Sequence, residues 1–150
     1  AVLKGRAIPL LWASYTTGQL ARSQNTFEES LLRLLVSMLP GGVKVVLLAD
    51  RGFGRAELAK TRLELRIRYL IRIKPDVRVS HPRWTGRLDD YPIKKGCWQV
   101  LTGAEYRSDK AGTLNVVIRW RHGLPAKRDE PWFLMTNLGG NAVRLTDLYA

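Results

Sequence analysis

Apolar positions along the chain follow two different periods, and their order predicts an α/β protein. Val2 and Leu3 precede Lys4-Gly5-Arg6, and an apolar run from Ile8 to Tyr15 follows. That pattern predicts two strands joined at a Gly5 turn, with Pro9 marking the second as an edge strand or a bulge. Residues 16–26 are polar and read as a loop. Thr26 stands three residues before Glu29, the spacing of a capping box, and Leu31, Leu32, Leu34, Leu35 and Met38 then recur at helical spacing. Pro40-Gly41-Gly42 ends that helix. Val43 to Ala49 is a nearly continuous, β-branched apolar run, the pattern of a strand buried on both faces. Asp50-Arg51-Gly52-Phe53-Gly54 closes it. A helix is predicted from Ala56 to about Leu65, and a strand from Tyr69 to Ile73 with Arg68 and Arg72 interleaved. The order from residue 27 is helix, strand, helix, strand, which favours parallel neighbours.

After Pro75 the pattern changes. Residues 75–128 are rich in Pro, Gly, Arg and Trp, with short alternating stretches. Cys97 to Thr102 and Leu114 to Arg121 read as strands, so this part is predicted as a β-rich insertion. Trp132 to Thr136 returns to core-like strand character, and Leu145 to Ala150 reads as the start of a helix. Three segments result: core residues 1–74, insertion 75–128, and a return to the core at 129–150. The apolar ends of the chain read as an excerpt from a longer protein.

Charge adds direction. Lys and Arg number 25 against 13 Asp and Glu, for a net +12. Residues 51–128 hold nineteen basic and seven acidic groups, so the whole excess lies there. Such a field attracts polyanions, with nucleic acid first among them through phosphate neutralisation. A solvated basic face or a membrane-surface patch remains as the plainer alternative. The single Cys97 excludes an intrachain disulfide and a Cys-based zinc site, and makes a reducing compartment the default. There is no signal segment and no membrane-spanning apolar run. His81 and His122 have no partner at metal-ligand spacing.

Asp50 is the candidate for chemistry. A carboxylate directly after a buried strand stands at the sheet's carboxyl edge, where α/β folds place ligands, and a hard oxygen donor there suits Mg²⁺. Gly52 and Gly54 permit close approach of a backbone or a ligand. Asp50 equally suits a cap on the following helix or an ion pair with Arg51 or Arg55. Gly52-Phe53-Gly54 is only a partial dinucleotide fingerprint, because Glu57 occupies the third glycine position. No phosphate-binding P-loop follows.

Leu48-Ala49-Asp50-Arg51-Gly52-Phe53-Gly54, followed by Tyr69-Leu70-Ile71-Arg72-Ile73-Lys74, resembles the insertion-sequence-4-type DDE transposases, the bacterial cut-and-paste enzymes. Lys4-Gly5-Arg6-Ala7-Ile8-Pro9-Leu10 looks like that family's hairpin, and Pro131-Trp132-Phe133-Leu134-Met135-Thr136-Asn137-Leu138 like its returning strand. Leu145-Thr146-Asp147-Leu148-Tyr149 resembles the entry to its signature helix. The resemblance implies an α/β, ribonuclease H-like core, incomplete because its first strand is missing, with a β-rich insertion.

It also implies metal-dependent cleavage of DNA and strand transfer at transposon ends, with Mg²⁺ or Mn²⁺ as cofactor. Asp50 would be the second of three catalytic acids; the first would precede Ala1, and the signature Arg and Glu would follow Ala150. These 150 residues are therefore expected to be inactive alone. Implied partners are transposon-end and target DNA, and a second copy in a synaptic complex, in the bacterial cytoplasm and on the nucleoid when DNA-bound. A non-catalytic DNA-binding remnant and a metal-dependent nuclease of the same fold are the alternatives.

The expected DNA contacts are Arg51, Arg72, Lys74, Arg78, Arg83 and Arg87 on phosphates, with Tyr149 near a phosphate through the resemblance. Trp84, placed in a loop, is the candidate to stack on an extruded base. Trp98 and Trp120 are expected in the core.

Overall fold

The computed structural model describes residues 2–3, 6–54, 61, 64–106, 113–123, 129–140 and 142–149. They fall into two compact units, Ala1–Val43 and Lys44–Ala150.

In the first unit β1 (Val2–Leu3) pairs antiparallel with β2 (Arg6–Ala7). The second strand is thus residues 6–7, and the apolar run that follows forms no regular element up to Thr16. Trp12 in that run is 77 % exposed. Helix α1 (Thr17–Met38) is capped by Thr16, ten residues before the expected cap at Thr26. The sequence holds a second capping signature at Thr16–Gln19, and that one is used. The Thr16 N–H donates to Gln19 Oε1 at 3.0 Å and the Thr16 hydroxyl donates to the same oxygen at 2.9 Å. The predicted loop is helical because lack of an apolar stripe does not forbid a helix. The described side chains of its first turns are exposed, and Gln24 bonds Glu28 one turn on at 2.8 Å. Leu39 ends the helix, with Gly42 at φ +83° in the turn beyond, as Pro40-Gly41-Gly42 implied.

The second unit is built on one mixed seven-stranded sheet, so the fold is mixed α/β with few helices. Its strands are β3 (Val46–Ala49), β4 (Arg68–Arg72), β5 (Arg78–His81), β6 (Trp84–Arg87), β7 (Trp98–Tyr106), β8 (Thr113–Arg119) and β9 (Trp132–Thr136). The order is β3-β4-β9-β8-β7-β5-β6. Among the described strands of this sheet only β3 and β4 run parallel. The parallel pair requires a crossover, and the helix expected there lies largely outside the described residues; Thr61 and Glu64 are helical. Strand β9 enters between β4 and β8, so strands of the expected core and of the expected insertion share one ladder.

Alternation along β4 and β9 sends side chains to two cores. Tyr69, Ile71, Phe133 and Met135 face one, which also holds Val77, Leu88, Leu101, Tyr106 and Ile118. Leu70, Leu134 and Val117 face the other, closed by Leu145 of helix α2 (Ala142–Tyr149). Arg119 anchors that helix by donating to the Thr146 hydroxyl and to Asp147 Oδ1, the latter at 2.9 Å.

The Val43–Ala49 run departs from expectation. Its strand is the edge of the seven-stranded sheet, and Val46 and Leu48 are each 38 % exposed. Apolar composition signals that a strand is to be covered, but among the described strands β3 has β4 alone beside it, and one face is left open at Val46 and Leu48. No helix among the described residues is long and apolar enough to cross a membrane.

The Thr136-Asn137 pair explains itself locally. The Thr136 hydroxyl donates to the Tyr69 carbonyl at 2.5 Å and accepts the Leu138 N–H at 2.9 Å. The Asn137 side chain accepts the Tyr69 N–H at 2.9 Å and donates to the Ile67 carbonyl at 3.0 Å. Together they fix the end of β9 against the start of β4. Asn137→Ala leaves both backbone groups without these partners, and it is expected to lower stability by about 1–3 kcal/mol, read as a lower urea midpoint.

Candidate functional site

The carboxyl ends of β3 and β4 carry most of the expected chemistry. Asp50 follows β3 directly, in extended backbone with φ −86° and ψ −179°, and its side chain is exposed. The parallel register pairs Val46 with Arg68 through Ala49 with Ile71, so Asp50 and Arg72 each directly follow the last paired position. A single 3₁₀ turn, Arg51–Phe53, then closes the strand, with the Asp50 carbonyl accepting the Phe53 N–H at 2.9 Å. The carboxylate itself makes no capping hydrogen bond to this turn.

The loop is held from behind. The Tyr106 hydroxyl donates to the Gly54 carbonyl at 2.7 Å. A Cβ at Gly54 would meet Ile73 Cγ2 at 3.1 Å, so a small residue belongs there. Gly52 has nothing within 4 Å of the equivalent position, so of the two glycines only Gly54 reflects close approach.

Arg51 and Arg72 converge on one carboxylate. Both guanidinium groups donate to Glu130 Oε1, Arg72 at 2.7 Å. The Arg72 guanidinium also lies 5.3 Å from the centre of the Trp132 ring, and that of Arg121 lies 5.9 Å from it. Arg51, Arg72 and Glu130 line a cleft of about 250 Å³, with Asp89, Pro75 and Phe133 among its other walls. Asp89 is itself held bidentate by Arg87, at 3.0 and 2.6 Å. That hydrogen bond lowers the Asp89 carboxyl below its ordinary value and raises the Arg87 guanidinium.

The remaining expected residues divide. Lys74 is exposed just beyond β4, and Arg78 is exposed directly opposite Arg87 on the β5–β6 hairpin. Arg83 is exposed in the hairpin turn, where its backbone N–H donates to His81 Nδ1 at 3.1 Å. Trp84 is not in a loop. It opens β6, half-buried, edge-on to Tyr91 at 5.1 Å, with its ring 2.9 Å from where a Gly86 Cβ would stand. Its surroundings are therefore packing partners, which the Trp-Thr-Gly spacing across β6 permits. Trp98, expected in the core, is 48 % exposed, while Trp120 is half-buried and donates to Asp129 Oδ1 at 2.9 Å. Tyr149 ends α2, and its side chain lies outside the described residues.

Sequence reasoning missed Glu130, Trp132 and Arg121 as parts of this cluster. The signal was present only as a β9 strand beginning beside an acid, and its meaning depends on β9 lying next to β4. Among the described residues no group of three or more His, Cys, Asp or Glu side chains converges to hold a metal ion. Asp50 offers one hard oxygen ligand at the strand tip. Compared with known proteins, the chain matches no family model, and no curated protein matches it at a significant level.

Proposed function

We propose that this chain is part of a DDE-type DNA transposase, with a ribonuclease H-like core in which Asp50 is one metal-holding carboxylate. The observation that carries the proposal is an exposed carboxylate at the carboxyl tip of a strand in a parallel pair, followed directly by Arg51, which with Arg72 lines a cleft. A carboxylate so placed is rigid, wet and beside groups suited to a phosphodiester. The edge position of β3 is consistent with the incomplete core: in a ribonuclease H-like sheet the missing first strand would lie along its open side. The Thr136–Asn137 clamp gives the transposase-like Thr-Asn-Leu stretch a physical task in aligning β9 with β4.

Each part has a defined role. A divalent cation at Asp50 would activate water, and then a DNA 3′-hydroxyl, for attack on phosphorus. Asp50 supplies one oxygen ligand. Arg51 and Arg72 hold a backbone phosphate, and Lys74, exposed next to them, extends the contact. The arginine cluster equally supports a non-catalytic DNA-binding remnant, since no group of three or more acids among the described residues converges to hold a metal ion.

Two measurements test these readings. Binding of a DNA duplex by the 150-residue chain is expected to weaken about 40-fold between about 50 and 200 mM salt, from roughly three phosphate contacts. Affinity flat across that range contradicts phosphate contact. Joining of DNA 3′ ends to a target by the full reading frame separates a transposase from both a nuclease and a binding remnant.

A further inference from the structure

We propose that Glu130 is a built-in competitor for nucleic-acid phosphate. It occupies the Arg51–Arg72 site until a phosphodiester displaces it. The proposal rests on the nucleic-acid reading above and assigns the regulation of that same site.

Two guanidinium groups donate to a single carboxylate oxygen, a geometry that also suits the anionic oxygens of a phosphodiester. Arg121 approaches the same Trp132 ring from which Arg72 takes support, so a third guanidinium stands at the edge of the cluster. The trio itself carries a net positive charge with Glu130 in place. The side chains of Arg51 and Arg72 are 34 % and 20 % exposed, whereas Glu130 is 47 % exposed. The acid is the wettest member of the trio and the easiest to release to water. Arg72 stays aligned by the Trp132 ring, and both arginines line the wall of the cleft. Glu130 thereby keeps the phosphate site pre-oriented while raising the threshold for weak, non-specific contact.

The test is duplex binding by the whole chain at about 100 mM salt, with wild type, Glu130→Gln, Arg72→Ala and the double variant. Glu130→Gln should tighten binding roughly three- to tenfold, and Arg72→Ala should cost more in the Glu130→Gln background than in wild type. Glu105→Gln is the control for net charge. Glu105 is exposed on β7, and its change should alter affinity less than twofold. Matched thermal midpoints for the variants establish that each is folded. Salt-dependent binding by wild type with no gain from Glu130→Gln, or an equal gain from Glu105→Gln, overturns the competitor role and leaves the nucleic-acid reading standing. A wild-type chain that binds inorganic phosphate but no duplex overturns both.

Discussion

Asp50→Asn, introduced into the full reading frame, is expected to lower the rate of DNA strand transfer by on the order of a thousandfold. The amide keeps the shape of the side chain and removes the charged oxygen that a hard cation needs. A metal ligand at the reacting centre is worth several kcal/mol of transition-state stabilisation, and about 4 kcal/mol corresponds to that factor. Because Asp50 is exposed, stability should change by less than about 1 kcal/mol. DNA affinity should hold or rise, since a negative charge has left the neighbourhood of Arg72. Activity within tenfold of wild type, in a variant that binds DNA normally, removes Asp50 from the chemistry.

The second large effect is on folding. Leu134→Ala is expected to destabilise the 44–150 unit by about 3–5 kcal/mol, measured by urea unfolding. Leu134 lies on β9 and is fully buried among Leu70, Val117 and Leu145. Truncation leaves a cavity between two strands and the α2 helix, in a sheet too tightly hydrogen-bonded to collapse around it. The contrast is Val46→Ala. That site on β3 is 38 % exposed, so the change should cost under about 1 kcal/mol. If both variants unfold alike, the sheet order described above is wrong.

Strands were legible in the sequence where alternation and flanking breakers coincide. Trp132–Thr136 was placed to the residue, and Arg68–Arg72 was displaced by one. The same rule erred on Ile8–Tyr15, since an apolar run also describes an exposed irregular segment. Helix α1 began earlier than its apolar stripe because Thr16 and Gln19 supply a cap that hydrophobic periodicity does not register. Burial of β3 was misjudged because it depends on neighbours, which pairing decides and composition does not.

At the site, Asp50 was readable as a strand-end acid, and Arg51 and Arg72 as basic neighbours. Their convergence on Glu130 was not readable, because it joins residues 58 and 79 positions apart. Only the placement of β9 beside β4 brings them together. Trp84 and Trp98 exchange their expected roles. Trp84 finds Tyr91 and Gly86 across local turns, whereas Trp98 begins a strand and stays half open to water.

The central claim is that the carboxylate at the tip of β3 meets a divalent cation beside bound DNA. Paramagnetic Mn²⁺, titrated into the duplex-bound chain, broadens amide resonances in proportion to their nearness to the ion. The account predicts broadening centred on Ala49 to Phe53, extending to Arg72, and lost in Asp50→Asn. Broadening centred elsewhere, or unchanged by that substitution, would contradict it.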